Sequence, residues 1–259
     1  MAFANGGNII LEADIELDAS LTVLSGKTVV LDMNGHTISQ VVACTGSYQM
    51  INNKGSLTIN DSVGGGKISF KDTGAGDFDV NWASYTIRNE GDLTVNGGTI
   101  EHLGNQAYNG NNAIFSYSGN ATINGGTIQA PHSRSVRLWH GSLTINGGAF
   151  DGQVWVQPQN GDPCTLTITG GSFKPATYGN DGSSVYVTNN NIAVTLSVTG
   201  GTFQTKIGCA DSTGLAGTIT GGVFTQAAKE NTNRALIHDN YEFVEDGDGT
   251  YSLVEKATQ

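Results

Sequence analysis

The sequence predicts an all-β, single-domain solenoid of about eight coils, each built from three short parallel strands. Three observations predict it. One glycine-containing motif recurs along most of the chain. The residues ahead of each glycine pair alternate apolar and polar with period two, the pattern of a half-buried strand. The composition, rich in Gly, Thr and Asn, favours strands and turns over helices.

Residues 1–20 hold strand-like pieces (NIILEADIEL) without the glycine motif and are read as an N-terminal cap. Repeat coils occupy residues 21–228. They open on a degenerate copy, TVVLDMNGHTI, ending at Ile38. Clearer copies follow: GSLTINDSVGGGKI from Gly55, GDLTVNGGTI from Gly91, GNATINGGTI from Gly119 and GSLTINGGAF from Gly141. The series ends with CTLTITGGSF from Cys164, TLSVTGGTF from Thr195 and GTITGGVF from Gly217. From Gly97 to Gly221 the first glycines of successive pairs lie 28, 22, 23, 30 and 21 residues apart. A fixed unit therefore carries a loop of variable length.

Within the unit, pairs such as Leu93 and Val95 or Leu143 and Ile145 alternate with Thr or Ser. The glycine pair makes a bend where a side chain would obstruct the turn. A second short strand then places one large apolar residue: Ile68, Ile100, Ile128, Phe150, Phe173, Phe203 or Phe224. A third alternating stretch lies upstream of each motif: YTIRN, AIFSYS, SVRLWH, QVWVQ and SVYVT. Copies that all run one way stack as parallel sheets, with equivalent positions ~4.8 Å apart and a rod roughly 40 Å long. The Ile/Phe series is then an internal ladder, Thr58 to Thr218 an outer hydroxyl column, and Asn60, Asn96, Asn124 and Asn146 a hydrogen-bonded column at the bend. At the other end, NYEFVEDGDGTYSLV reads as a hairpin, making residues 229–259 a C-terminal cap.

Composition narrows the function. The net charge of −11, from 23 acidic and 12 basic residues, argues against a partner with a phosphate backbone. It leaves neutral glycans and other proteins. No apolar run reaches the ~18 residues of a membrane span. The N-terminal stretch shows no signal-peptide pattern, from which we expect cytoplasmic assembly or a processed chain. Cys44, Cys164 and Cys209 form no CxxC pair and are expected to be small buried hydrophobes.

The LTINGGTI-type units, with GKTVVLDMNGHTIS near the start, resemble right-handed parallel β-helix proteins of the pectate-lyase-like superfold. That start and the YEFVEDGDGTYSLV ending are more narrowly similar to repeat proteins of bacterial surfaces and phage particles. The resemblance implies fold strongly and function weakly, because this fold hosts lyases, hydrolases, adhesins and virion spikes. It implies location on a virion or an extracellular cell surface. The partners it implies are other virion or surface proteins and glycans, with homotrimers also expected, and no nucleic acid, membrane or cofactor.

Polysaccharide-cutting enzymes of this fold carry clustered carboxylates, and glycoside hydrolysis needs two flanking one bond. Asp-Asp, Gly-His-Gly and Arg-x-Lys segments, typical of the glycosidase branch, are absent. Asp92, Glu101, Asp151, Asp181 and Asp211 are expected at different phases of the repeat, and a catalytic site is disfavoured. Asp77, Asp79 and Asn81 match the first three ligands of a calcium loop, but Trp82 stands where its glycine belongs and Arg88 where its bidentate acid belongs. They remain the weak metal candidates. The five histidines show no metal-ligand spacing, and no nucleophile can be paired with one.

The remaining feature is aromatic. With Val136 and Leu138, Val154 and Val156, and Val185 and Val187 pointing inward, alternation exposes Arg137, Trp139, Trp155 and Tyr186. Arg88 takes a comparable place in YTIRN, and Tyr117 has an ambiguous register. Such a ridge suits stacking on sugar rings or a protein contact. The competing expectation is that the loops over residues 101–112 and 174–183 fold across it. The functional expectation is a non-enzymatic structural or recognition protein, foremost a phage decoration, fibre or spike protein. A bacterial adhesin or glycan-binding module is the alternative, and a lyase or hydrolase the third.

Overall fold

Strands form wherever the sequence alternates, and each lies beside the equivalent strand of the next repeat. The computed structural model describes residues 2–74, 83–104, 111–177, 182–189 and 191–257. It is nearly all β, with 52% strand and 5% helix. One sheet takes a strand from each repeat in chain order: Gly7–Ile10, Thr28–Asp32, Ser56–Asn60, Asp92–Val95, Asn120–Ile123, Gly141–Ile145, Cys164–Ile168 and Val194–Val198. Every junction in it is parallel.

The other sheet contains two parallel ladders. The first runs from Ile15–Glu16 through Thr37–Val42, Lys67–Asp72 and Thr99–His102 to the start of Thr127–Leu138, and on through Ala149–Val156 to Val223–Thr225. The second links Leu21–Val23, Tyr48–Asn53, Ser84–Asn89 and Asn112–Ser116 to the far halves of those two long strands. It ends on Val185–Val187 and Ile207–Cys209. Long parallel sheets of this kind are compatible with a β-solenoid. Near the C-terminus the direction changes. Tyr241–Glu245 and Thr250–Glu255 form an antiparallel hairpin, and Thr250–Glu255 also pairs antiparallel with Val223–Thr225.

The inward ladder falls where the sequence places it. Ile68, Ile100, Ile128, Phe150, Phe173, Phe203 and Phe224 are all buried. The four phenylalanine rings stack face to face at 4.9, 4.9 and 5.0 Å. Burying each is worth roughly 1.5–3 kcal/mol. The asparagine column also forms: Asn96 donates to Asn60, Asn124 to Asn96 and Asn146 to Asn124, each at 2.8 Å, and Thr169 continues it at 3.0 Å to Asn146. On the same outer face Thr58, Thr94, Thr122, Thr144, Thr167 and Ser197 stand in register and half-exposed.

Two glycines show why the motif tolerates little else. Gly126 has φ +84°, and a Cβ there would lie 2.5 Å from the Gly98 carbonyl oxygen. Gly119, at φ +77°, would put one 2.1 Å from the oxygen of Gly91. Both demand a left-handed backbone and close approach of the neighbouring repeat.

Two paired substitutions check this register. Ile145→Asp buries an unpaired carboxylate between repeats and should cost several kcal/mol, whereas Thr144→Lys points into solvent and should stay within about 0.5 kcal/mol. Thermal or denaturant unfolding reads both, and the opposite ranking would mean the strand faces are exchanged.

Candidate functional site

The second ladder carries the densest unusual chemistry. Register pairing aligns Arg88, Phe115, Arg137, Trp155 and Tyr186 in one file, with Asn52 before it and Gly208 after it. Cations and rings interleave. The Arg88 guanidinium lies 4.4 Å from the Tyr117 ring centre. Arg137 lies 4.8 Å from Trp139, 4.6 Å from Trp155 and 5.6 Å from Phe115. The buried Arg134 covers Trp155 from 4.0 Å. Such contacts are worth roughly 0.5–2 kcal/mol each, more as water is removed. Three of the chain's four arginines gather here, in a protein of net charge −11.

The structure corrects the sequence reading of this face at one position. Trp155 is only 6% exposed. The guanidinium groups of Arg134 and Arg137 lie against its ring, and its Nε1 donates to Thr188 Oγ1 at 3.0 Å. Alternation predicts which side of a strand a residue takes, not what a neighbouring arginine does there. Trp139 stands outside the file, beside Tyr117 at 5.6 Å between ring centres. The ambiguous register of AIFSYS resolves with Phe115 in the file and buried. Arg88, Tyr117, Arg137, Trp139 and Tyr186 remain half-exposed. Arg88 is held by Glu90 at 3.1 Å, and Arg137 donates to Gln157 at 2.5 Å.

Asp77, Asp79 and Asn81 lie outside the described residues. Among the described residues no group of three or more His, Cys, Asp or Glu is placed to hold a metal. The buried thiol of Cys164 is pushed up to about 12 by desolvation, with Asp162 adding to the shift.

One expectation about carboxylates is overturned. Glu101 and Asp151 share a file, in the order Glu101, Gln129, Asp151, Lys174. Glu101 and Asp151 each directly follow the inward residue of their motif, Ile100 or Phe150, so GGTIE and GGAFD already carry this shared phase. Glu101 is buried and accepts from Gln129 Nε2 at 2.5 Å.

A second cluster was invisible in the sequence because its members come from different strands. Ser84 Oγ lies 2.9 Å from His102 Nε2, 2.9 Å from Asp72 Oδ2 and 3.0 Å from Asn111 Oδ1. Ser84, His102 and Asn111 are buried. Despite the resemblance to a nucleophilic triad, the proton sits on the wrong nitrogen. The Gly104 N–H donates to His102 Nδ1 at 3.2 Å, so in neutral His102 Nδ1 is the acceptor and Nε2 carries the hydrogen. The imidazole thus donates to Ser84 instead of taking its proton, and the cluster acts as a polar lock between repeats. Burial lowers the His102 pKa to about 4, against the opposing pull of Asp72.

No family model matches this chain, and no curated protein or solved structure shows significant similarity to it.

The lock has a pH signature. His102 is neutral when folded, with its pKa depressed from 6.5 to about 4. Its contribution is therefore complete above about pH 6.5 and is lost as pH falls towards 4, where the unfolded chain binds a proton and the folded one does not. The full loss is about 3 kcal/mol. Melting temperatures of the parent and His102→Gln from pH 7 to 4.5 check it: the parent should fall more steeply, and equal slopes would remove His102 from the account.

Proposed function

We propose that the chain is a right-handed parallel β-helix of the pectate-lyase-like kind, with about eight coils between end caps at residues 1–20 and 229–259. In-register parallel pairing supports this, as does the right-handed rule for parallel crossovers. On that frame we read a non-enzymatic structural and recognition protein. Its setting is a particle or cell surface, foremost a phage virion as a decoration, fibre or spike protein, with a bacterial adhesin or glycan-binding module as the alternative. The observation that carries the reading is the Arg–aromatic face. Half-exposed Arg88, Arg137 and Tyr186 stand on strands and Tyr117 and Trp139 just past strand ends, backed by the buried rings of Phe115 and Trp155. Rigid aromatics with arginine alongside offer flat apolar area and fixed donors, which suits a sugar ring or a protein side chain.

A second reading, polysaccharide hydrolysis, has one observation in its favour. Glu101 and Asp151 stand two rungs apart in one file, or about 9.6 Å along the backbone stack. That is close to the widest carboxylate spacing of inverting glycosidases, about 9.5 Å. New reducing ends from oligosaccharides, lost in Asp151→Asn, would establish it over the recognition reading.

The recognition reading is tested by glycan-array binding together with tryptophan fluorescence. Trp139→Ala should weaken binding about tenfold or more, a loss of about 1.4 kcal/mol, with the melting temperature nearly unchanged. Trp155→Ala should behave differently and destabilise the fold by about 3–5 kcal/mol, as a buried ring does. If Trp139→Ala and Arg137→Ala both leave binding intact, this face is not the contact surface.

A further inference from the structure

We propose that the N-terminal end of the ladders is a docking edge for a basic β-strand of another protein. This surface is separate from the Arg–aromatic face, and the inference does not rest on its function. The strands Gly7–Ile10 and Ile15–Glu16 each pair on one side only among the described residues. Leu11 N–H bonds to Asp32 and Leu17 N–H to Ser39, both towards the following repeat. By strand alternation the backbone groups of Asn8, Ile10 and Glu16 face the open side. The short helix Ala2–Asn5 buries Phe3 and packs mainly on the Leu21–Val23 strand, with a lighter contact to Gly7–Ile10. Beside them Ile10 is 64% and Ile15 41% exposed. A free parallel edge flanked by exposed isoleucine is a template for strand addition.

Charge selects the occupant. Residues 1–26 contain Glu12, Asp14, Glu16 and Asp18 and no Lys, Arg or His. All four carboxylate residues are exposed. A basic side chain facing them from the next repeat is His36, whose Nδ1 lies 3.4 Å from Asp14 Oδ1. A second copy stacking head to tail would bring its hairpin end against this edge, and residues 239–257 hold six acidic residues and a single lysine. Like charges then oppose self-stacking, whereas a strand alternating basic and β-branched residues satisfies backbone, isoleucines and carboxylates together.

The probe is a labelled ten-residue peptide alternating lysine and valine, read by fluorescence anisotropy and by hydrogen exchange. An alternating glutamate–valine peptide and a proline-interrupted lysine–valine peptide are the controls. The basic peptide should bind at least tenfold tighter than either control and slow exchange at Asn8, Ile10 and Glu16. Glu16→Lys combined with Asp18→Lys should weaken it at least tenfold, while Glu245→Lys at the opposite end should not. Equal binding of the basic and proline-interrupted peptides would reduce the effect to unspecific charge and overturn the proposal. So would protection confined to other strands, or no binding at all. Self-association in sedimentation that Glu16→Lys abolishes would make a second copy the occupant and equally overturn it.

Discussion

Every repeat must lay its residues directly over those of the repeat before it, and this register is the constraint on which the rest of the structure depends. At ~4.8 Å between strands, a backbone ladder matches only if inward, outward and turn positions all coincide. Phe150, Phe173, Phe203 and Phe224 satisfy it by stacking at 4.9 to 5.0 Å. Asn60, Asn96, Asn124 and Asn146 satisfy it by amide-to-amide bonds. Gly119 and Gly126 satisfy it by having no side chain to set against the carbonyl below. These solutions are cooperative: a slip of one residue would turn Ile145 outward and Thr144 inward and would break the asparagine column at the same time.

The same constraint explains what could be read from the sequence. Features that repeat with the motif were legible, because position in the motif determines depth in the structure. The inward ladder, the threonine and asparagine columns and the terminal hairpin all belong to this group. Features that depend on two different phases were not. Ser84 opens one strand and His102 closes another, and nothing in a period-two pattern brings them together. The common file of Glu101, Gln129 and Asp151 belongs with the legible features, because each directly follows the inward residue of its motif. Trp155 was assigned to the correct side of its strand. Its burial depends on the fully buried Arg134 three positions before the arginine of its file, a contact no alternation rule contains.

Departures from the repeat are therefore where function is best sought. Sheet positions that only hold the stack are filled by Thr, Asn, Ile or Phe in copy after copy. In the second ladder the outward position instead changes at each step, from Arg88 to Phe115, Arg137, Trp155 and Tyr186. Register alone does not require that sequence of side chains. Guanidinium–ring contacts recover part of its energy locally, and Glu90 neutralises Arg88. The face thus packs guanidinium against ring while keeping five of its polar and aromatic groups half-exposed. Side chains already held by such contacts lose less entropy on holding a partner.

A stacked fold also separates its ends from its sides. Side faces are insulated from one another by the core, so the Arg–aromatic face and the polar lock at His102 can change without disturbing the glycine bends. The ends are different, because the last strand of a ladder presents backbone groups with which another strand can pair. At the C-terminal end the chain supplies that strand itself: Thr250–Glu255 lies antiparallel on Val223–Thr225, and Glu242 and Glu245 place charge on the outermost strand. At the N-terminal end the comparable charge from Glu12 to Asp18 flanks strands that keep their hydrogen-bonding capacity beside exposed Ile10 and Ile15. Exposed carboxylates there oppose the approach of other acidic surfaces. Under the proposed docking, one sign of charge would both oppose acidic edges and select a basic strand.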